Sequence, residues 1–549
     1  MNLQHNNGIY YRVTDASSKN SPPAINVVRL DLMLDQKVLF TDLDFSINYG
    51  SKATIVGENG AGKTTFLQLL CGLEDLPISG DISISGSVGF LPQKFENVNP
   101  DDLAITALLQ SLYDEDINDF LASQTNEFSP EWTQEFNILG GHEILSQLHK
   151  LGLDLEALKR PIRSLSGGEK TKIFLCALSV LEPDFILLDE PTNHLDDKGI
   201  RWLESFLRRY QGGVIIVTHD RALINSVAEC VFELSTHMRK FTRFTGGYKN
   251  YLEEEKKTRL RLIKERQCQD KELKKLKSKA IKAQSNVKAR ITRSCSDRDK
   301  LSYNNKEQRA QKSTTGLVNQ LSDKINQTMN DLVDVIPERS HISFDFEDSA
   351  FFASQIGINV SEVTKSFDKP LFKNISFTLK SGCRLIIQGP NGSGKTTLNR
   401  IIMGLENPDH GIVTINGHGR LGFLDQEQEN LDLDKSPIEL IQDDPLIDIG
   451  RTNPKSFAIR SLQSFGIYTW HDISTPLRLL SVGCRRKVQL CQIIMRKSSI
   501  LVLDEPTNHI DFPSLEIIED SLFNFPGIII ATTHDRYFTE KLGCLLYTS

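Results

Sequence analysis

The chain has 549 residues, 39% of them hydrophobic, which allows about three to four domains of ordinary size, each with its own core. Its formal charge is −7, its polar start lacks the apolar segment of a signal peptide, and it has no apolar run of the ~18–20 residues that a membrane helix needs. Nine cysteines without zinc-ligand spacing predict buried, reduced thiols and a cytoplasmic protein.

Four regions follow one another along the chain. Residues 1–23 are polar and aperiodic, which predicts a disordered N-terminus. Residues 24–247 and 341–549 each show strand-like runs before a glycine-rich loop and an apolar helix, for example KATIVG and CRLIIQG. This order predicts two α/β domains with parallel core sheets, joined by a linker over residues 248–340.

One motif set occurs twice. GENGAGKTT at Gly57–Thr65 returns as GPNGSGKTT at Gly389–Thr397, and each copy is followed by an acidic strand end, PTNH and THDR. The two copies lie 332 residues apart at their lysines and 315 at their aspartates. This repetition indicates one phosphate-binding unit used twice, with two copies that can face each other and close over nucleotide.

Each glycine-rich loop is typical of triphosphate binding, because glycines let backbone N–H groups approach phosphates at a helix N-terminus. The lysines are predicted to reach the β- and γ-phosphates, and the threonines that follow them to offer a hydroxyl to Mg²⁺. The predicted nucleotide-binding residues of the loops are Gly57, Asn59, Gly60, Gly62, Lys63, Thr64, Thr65, Gly389, Asn391, Gly392, Gly394, Lys395, Thr396 and Thr397.

Two apolar strands, FILLDE and ILVLDE, each end in a pair of acids. Asp189 and Asp504 are predicted to hold the metal through bound water. Glu190 and Glu505, one residue further, are predicted to polarise the water that attacks the γ-phosphate. Phosphoryl transfer needs such positioning and charge neutralisation from the protein.

Two further residue pairs, one of histidines and one of glutamines, occupy corresponding places in the two halves. His219 and His534 end the next strand, 30 residues after each aspartate, and are predicted to contact the γ-phosphate. Gln93 and Gln426 lie 30 and 31 residues beyond the lysines and are predicted to lie near Mg²⁺ and the attacking water.

LSGGE at Leu165–Glu169 and LSVGC at Leu480–Cys484 each lie 24 residues before the strand-end aspartate. With these signature sequences the chain resembles the ATP-binding cassette superfamily throughout. The resemblance implies head-to-tail closure, in which each signature helix caps the ATP bound by the opposite domain. Lys63 would then share a site with Ser481 and Gly483, and Lys395 would share the other site with Ser166, Gly167 and Gly168.

The second signature departs from the pattern. Val482 replaces a glycine and Cys484 replaces Gln or Glu, which predicts a weakened or asymmetric, but not inactive, site at Lys63. The halves also differ where adenine would stack. Phe367 is predicted to stack on the base in the second half, whereas Leu34 near the equivalent place predicts hydrophobic contact in the first.

The linker differs in charge from the rest of the chain. Residues 256–312 contain 20 basic and six acidic residues, a net charge of +14 that leaves −21 elsewhere. The stretch is rich in helix formers, with apolar seams before and after a polar tip at about Ser285–Asn305, which predicts a basic helical hairpin. The basic excess favours contact with a polyanion over a solvated coiled coil with paired charges.

Two cassettes, the sequences DEPTNHLD and DEPTNHID, and a charged helical linker resemble the ABC-F family. The resemblance implies a monomer that closes intramolecularly on ATP and Mg²⁺ and acts on the ribosome, with the linker reaching rRNA and P-site tRNA. Either antibiotic resistance by ribosomal protection or a role as a translation factor would fit. The alternative, a soluble ATPase subunit of a membrane exporter, gives the basic linker no role.

Two length differences complete the comparison of the halves. The first half carries about 18 additional residues around 101–136, either a short arm or an ordinary surface loop. Aligned on the THDR histidines, Ser549 matches Leu234, which predicts that the second domain lacks a final strand, either by natural trimming or because the sequence is incomplete.

Overall fold

The computed structural model describes most of both predicted domains and the first part of the linker. The described residues are 2–6, 9–14, 22–34, 37–73, 76–95, 97–112, 141–193, 195–236, 238–293, 320, 324–325, 357–367, 370–416, 420–425, 431–448, 453–465, 467, 470–543 and 545–548. The chain forms two compact units, one of Met1–Tyr248 with Arg339–Ser549 and one of Lys249–Glu338. The first unit contains the two ATPase-like domains, here called the first and second cassettes.

The strands of the first cassette are β1 (Asn2–Asn6), β2 (Ile9–Thr14), β3 (Ala24–Leu34), β4 (Lys37–Asn48), β5 (Lys52–Gly57), β6 (Ile78–Leu91), β7 (Phe185–Asp189), β8 (Gly213–Val217), β9 (Cys230–Leu234) and β10 (Phe241–Thr245). Its helices are α1 (Lys63–Cys71), α2 (Ala104–Leu112), α3 (Gly141–Lys150), α4 (Leu155–Leu158), α5 (Gly167–Leu181), α6 (Asp197–Arg209) and α7 (Arg221–Val227). The end of β6 starts a parallel sheet in the order β6, β7, β8, β5, β9. The carboxyl ends of β5 and β7 therefore meet at one edge, where α/β sheets bind ligands.

The expectation that residues 1–23 are disordered is wrong for the two strands at the N-terminus. β1 pairs with β2, and β2 pairs antiparallel with β6. Ile9 is fully buried in a core cluster, and the Tyr10 ring stacks on Phe90 at 5.9 Å. The free edge of β6 supplies the pairing partner that the local sequence does not reveal.

The linker begins with helix α8 (Tyr248–Arg293), whose sequence contains no Gly or Pro. The predicted tip starts too early, because the helix continues through Ser285 to Arg293. Of the predicted returning helix, Gln320, Lys324 and Ile325 are described and helical, and its other residues lie outside the described ones.

The strands of the second cassette are β11 (Gly357–Ser366), β12 (Pro370–Lys380), β13 (Arg384–Gln388), β14 (His410–Asn416), β15 (Leu421–Leu424), β16 (Ile500–Asp504), β17 (Ile528–Thr532) and β18 (Leu545–Thr548). Its helices are α9 (Lys395–Ile402), α10 (Pro437–Gln442), α11 (Pro454–Ser464), α12 (Trp470–Ser474), α13 (Val482–Met495), α14 (Phe512–Phe523) and α15 (Arg536–Leu542). Five strands form a parallel sheet in the order β15, β16, β17, β13, β18, which repeats the order of the first cassette.

The two length differences between the halves map onto specific elements. The region of the additional residues, around 101–136, includes α2, and residues 113–140 lie outside the described ones. At the other end, β18 pairs with β13 as β9 pairs with β5. β18 is therefore the counterpart of β9.

Candidate functional site

The first glycine-rich loop joins β5 to α1 and surrounds its own lysine. Lys63 Nζ donates hydrogen bonds to the carbonyl oxygens of Gly57 and Glu58, at 2.7 and 3.1 Å. Gly62 caps α1 with a φ of 99°, and a Cβ there would lie 3.0 Å from the Phe40 ring. The free N–H groups of the helix start and the lysine together have the chemistry of an anion cradle.

The second loop, between β13 and α9, repeats this geometry. Lys395 Nζ donates to the carbonyl oxygens of Gly389 and Pro390, at 2.7 and 3.0 Å, and Gly394 has a φ of 90°. Lys63 is buried, whereas Lys395 is partly exposed. Burial lowers the pKa of both lysines, and the acids around them oppose that effect.

A hydroxyl and a carboxylate meet beside each loop. Thr64 Oγ1 donates to Asp189 Oδ2 at 2.7 Å, and Thr396 Oγ1 donates to Asp504 Oδ2 at 2.7 Å. Asp189 Oδ1 is buried without a hydrogen-bond partner among the described residues, and burial raises the pKa of Asp189 to about 6. These oxygen donors fit Mg²⁺, which is bound by carboxylates together with phosphate and water.

The glutamates after the two aspartates have a strained backbone. Glu190 and Glu505 have φ values of 49° and 47°, and their N–H groups donate to Val217 O at 2.8 Å and Thr532 O at 2.9 Å. Burial raises the pKa of Glu190 to about 8 and that of Glu505 to about 7. A carboxyl group with a raised pKa is suited to exchange protons with water near neutral pH.

Each of these glutamates has a histidine beside it. His219 Nε2 lies 3.4 Å from Glu190 Oε1, and His534 Nε2 lies 3.8 Å from Glu505 Oε1. The histidines follow β8 and β17, the strands that neighbour the glutamate strands in each sheet. Loop, aspartate, glutamate and histidine therefore converge in both cassettes, as their spacing predicts.

The first loop also contacts the second cassette. Asn59 Nδ2 donates to His509 O at 2.8 Å, and a Cβ built on Gly483 would collide with the Asn59 side chain and the His509 carbonyl. Gln93 Nε2 and Asn193 Nδ2 lie 3.5 and 3.3 Å from His509 Nδ1. The start of the second signature helix and the second PTNH segment thus lie against the first loop.

Acidic residues of the first cassette lie close to the second loop and its histidine. Asp197 Oδ1 lies 3.1 Å from His534 Nδ1, and the charges of Asp196 and Asp197 raise the pKa of Lys395 against the effect of burial. Both aspartates stand at the start of α6, directly after the first PTNH segment. In each cassette, the PTNH segment and the residues after it therefore contact the site of the other cassette.

The two signature helices begin differently. Ser166 caps α5 in a complete capping box, with Glu169 reaching back to the Ser166 N–H at 2.8 Å. Ser481 accepts from the Cys484 N–H at 3.2 Å, and the short Cys484 side chain cannot return the bond. The second signature helix therefore carries half of the capping arrangement.

Ion pairs join the cassettes with approximate twofold symmetry. Arg221 pairs with Glu519, and Arg536 NH1 lies 3.2 Å from Glu204 Oε1. Arg221 also lies 3.0 Å from Asp535. The arginines belong to the two THDR sequences, and the glutamates occupy matching positions in α6 and α14.

Comparison with known proteins also finds two ATPase domains of one type in this chain. The ABC transporter family model matches residues 40–193 and 372–508. The energy-dependent translational throttle protein EttA of Mycobacterium tuberculosis is 30% identical over 525 residues, which cover 92% of this chain and 87% of EttA. ABC transporter F family member 5 of Arabidopsis thaliana is 29% identical over 528 residues, 91% of this chain and 71% of that protein. The chain belongs to the ABC-F family.

This ABC-F chain is also 29% identical over 523 residues to the ribosome protection protein VmlR of Bacillus subtilis, covering 94% and 85% of the two chains. Among solved structures, the archaeal ribosome recycling factor aABCE1, in complex with stalk protein aP1, matches with a TM-score of 0.54. At 16% identity over 95% of this chain and 87% of that chain, this likeness concerns the fold alone. The predictions of the family and of two tandem P-loop ATPase domains are confirmed. Among the described residues, no helix has the length and apolarity to cross a membrane.

The structure describes two residues predicted to lie near adenine, Phe367 and Leu34, by their burial and contacts. The Phe367 side chain is 62% exposed, and its ring contacts Lys365 Nζ at 5.4 Å from the centroid. Leu34 packs partly buried against the core of the first cassette. Gln426 lies outside the described residues.

Sequence reasoning missed three residues of the two sites: His509, Asp197 and Phe512. Each contacts the opposite cassette, and such a contact leaves no local pattern in the chain. One signal was available, since aligning PTNHLDD with PTNHIDF places Asp197 opposite Phe512. This mismatch inside a nearly identical repeat marks a position where the two sites differ.

Proposed function

We propose that this ABC-F protein binds ATP with Mg²⁺ at two sites between its cassettes, closes on itself as a monomer, and uses hydrolysis to act on the ribosome in the cytoplasm. The observation that carries the ribosome part is the charged face of α8. The lysines Lys264, Lys271, Lys275, Lys279 and Lys282 are exposed and are spaced by seven, four, four and three residues, which places them along one face of the helix. Leu273 and Leu276 are buried on the opposite side.

A row of lysines along an exposed helix face suits the phosphate backbone of RNA. Between Lys264 and Lys282 the helix carries eight basic and three acidic residues. Paired charges therefore cannot neutralise this face, and its field attracts a polyanion. Within the proposal, rRNA and P-site tRNA are the partners of linker residues 256–312.

In each site the converging groups take the predicted roles. Lys63 and Lys395 bind the β- and γ-phosphates, while Glu190 and Glu505 orient the attacking water. Mg²⁺, when bound, neutralises charge on the phosphates, and Thr64, Asp189, Gln93, Thr396, Asp504 and Gln426 would hold it. The opposite signature completes each site, with Ser481 and Gly483 at the first and Ser166, Gly167 and Gly168 at the second. Asn59 and Asn391 line the loops, His219 and His534 contact the γ-phosphate, and Phe367 stacks on adenine.

The relatives favour this proposal over a transporter subunit. EttA is named for translation and VmlR for ribosome protection, and each match spans at least 92% of this chain. Their names also keep two roles open, regulation of translation and antibiotic resistance. Expressing the gene in a susceptible host and measuring growth across classes of ribosome-targeting drugs separates them, because only a protection factor raises resistance to a defined class.

The central test traps the closed state. Changing both Glu190 and Glu505 to Gln removes the groups that orient water while leaving the phosphate loops intact. We expect the double variant to bind ATP, to lose hydrolysis, and to sediment with ribosomes when ATP is present. Wild-type protein with ADP is the control. Lack of ATP-dependent ribosome retention by the double variant would refute the ribosome proposal.

A second test addresses the lysine face. Lys264, Lys271, Lys275 and Lys279 are changed to Gln together, and the matched control changes the exposed lysines Lys150, Lys373, Lys380 and Lys497 of the cassettes. Each lost phosphate contact should lower the slope of log K against log salt by about 0.7–0.9. The control should keep the wild-type slope, and equal slopes for both variants would contradict the proposed RNA contact.

A further inference from the structure

The two site histidines face different groups across the cassette interface. His534 Nδ1 lies 3.1 Å from Asp197 Oδ1, at the start of α6 in the first cassette. The His219 ring instead lies edge-on to Phe512, with centroids 5.3 Å apart, at the start of α14 in the second cassette. Asp197 and Phe512 are equivalent positions of the repeat, so a carboxylate in one site is replaced by a phenyl ring in the other.

We propose that Asp197 is a positioning residue for the second ATP site, in which its carboxylate, supplied by the first cassette, holds a proton on Nδ1 of His534 and fixes the orientation of the ring. The inference rests on the proposed role of His534 and Glu505 in ATP hydrolysis. It adds that the two sites differ in the residue that contacts the histidine from the opposite cassette, a carboxylate at the second site and a phenyl ring at the first.

The hydrogen bond determines which ring nitrogen faces the nucleotide loop. A carboxylate is only an acceptor, so Nδ1 of His534 must carry a proton to bond Asp197. Nε2 is then directed toward Glu505 Oε1, 3.8 Å away. It is buried without a hydrogen-bond partner among the described residues, and in the ring protonated at both nitrogens, which the two flanking carboxylates favour, its N–H can donate to a phosphate oxygen.

At the first site, no described carboxylate bonds Nδ1 of the histidine. His219 Nδ1 is buried, and within the described part of the chain it has no hydrogen-bond partner. Burial lowers the pKa of His219 to about 3, so the ring is neutral and its tautomer is not fixed through Nδ1. For His534, burial is the largest influence and would lower the pKa, but Asp197 and Glu505 outweigh it and raise the pKa, with Lys395 opposing them.

Asp197 is itself held firmly. The preceding residue, Asp196, caps α6 by accepting from the Gly199 N–H at 3.1 Å, and it lies 2.9 Å from Lys172 Nζ in a buried ion pair. The hydrogen bond with His534, followed by the charges of Arg201 and Arg536, keeps the pKa of Asp197 low and the carboxylate ionised. A fixed, charged acceptor is what a positioning role requires.

The arrangement couples the second site to closure. Because Asp197 and His534 belong to different cassettes, separation of the cassettes removes the carboxylate from the histidine. His534 is then oriented for hydrolysis only when the first cassette is in place.

The test isolates the second site in a Glu190→Gln background. Asp197→Ala removes the acceptor, whereas Asp197→Asn keeps an oxygen at nearly the same position. We expect Asp197→Ala to lower kcat for ATP at least tenfold with less than a threefold change in KM, and Asp197→Asn to retain at least a third of the kcat. Lys198→Ala, one residue further on the exposed side of α6, is the matched control and should keep the parent kcat.

The outcomes separate this inference from the proposed function. An unchanged kcat in Asp197→Ala, or an equal loss in Asp197→Ala and Asp197→Asn, would overturn the positioning role alone. Adding Glu505→Gln to the same background should abolish the remaining turnover. If turnover persisted, the role of the glutamates would fail, and the positioning role with it. Retention of ATP binding by Asp197→Ala in the double Glu→Gln variant shows that a lower kcat does not come from misfolding.

Discussion

The two candidate ATP sites contain the same residues from within each cassette but receive different residues from the opposite one. At the first, Phe512 lies against His219. At the second, Asp197 bonds His534. The shared groups sit at the ends of buried strands, where packing fixes them, whereas the differing groups, Asp197 and Phe512, are the first residues of helices α6 and α14 and lie at the interface. The sites can therefore diverge without any change in the phosphate loops.

The largest expected effect concerns a feature that the cassettes share. Lys172 pairs with Asp196 at 2.9 Å, Lys487 pairs with Asp511 at 2.5 Å, and all four side chains are buried. Changing either aspartate to Ala leaves a buried lysine unpaired, at a cost of about 3–5 kcal/mol. Native-state hydrogen exchange of α6 and α14 measures the loss in each cassette separately.

An exposed ion pair is the control for this prediction. Arg163 and Asp101 lie 2.6 Å apart with side chains 68% and 67% exposed, and Asp101→Ala should cost about 1 kcal/mol or less.

The pH dependence of stability is an independent check of the buried pair of the second cassette. Burial disfavours ionised Asp511, but Lys487 outweighs it and holds the pKa of Asp511 well below its usual range. Its stabilisation is therefore full above the unfolded pKa of about 3.9 and is lost as pH falls further. A similar loss of stability on removing the exposed and the buried aspartates would contradict the prediction that the buried ion pairs contribute more.

The next effect separates the sites by turnover. The first site faces the signature in which Val482 and Cys484 depart from the usual sequence, and loss of one donor to a transition state costs about 2.7–4 kcal/mol in other enzymes. We expect Glu505→Gln alone to abolish most ATPase activity, about 100-fold, and Glu190→Gln alone to leave much of it. Steady-state hydrolysis with ribosomes present measures both. Equal losses would indicate equivalent or tightly coupled sites, and a larger loss from Glu190→Gln would reverse the assignment.

A smaller effect is expected where the second signature meets the first loop. In Gly483→Ala the new methyl group must displace the Asn59 amide and break its bond to His509, a loss of about 1.4 kcal/mol or tenfold in ATP affinity. Binding of a fluorescent ATP analogue to the double Glu→Gln variant resolves the two sites. Gly357→Ala, whose Cβ would make an ordinary 3.4 Å contact, is the control. Unchanged affinity at the first site would show that Gly483 does not limit closure.

The smallest effect concerns the cap of the second signature helix. Cys484→Glu supplies the side chain that completes a capping box with Ser481, as Glu169 does with Ser166. Caps contribute about 0.5–2 kcal/mol, so we expect α13 to gain about 1 kcal/mol in local stability. Hydrogen exchange of the first turn of α13 measures the gain, and Cys484→Ala should show none. Slower exchange in both variants would attribute the effect to removal of the thiol.

The sequence predicts the parts of each site that local structure dictates. A glycine loop before a helix and an acid at the end of a buried strand place Lys63 and Asp189 at one sheet edge, because the carboxyl ends of parallel strands meet there. The N-terminal strands were missed because β2 depends on the distant edge of β6. Asp197 was missed because its partner, His534, lies 337 residues away in the chain.

Both cassettes lie in one polypeptide, and this has an evolutionary consequence. In a twofold homodimer, one substitution changes both copies of an interface at once. Here the arginine–glutamate pairs that join the cassettes are equivalent, while the position after the PTNH-Leu/Ile-Asp segment holds Asp197 in one half and Phe512 in the other. Two cassettes in one chain thus let a substitution act on one half alone, so that one site can change while the other does not.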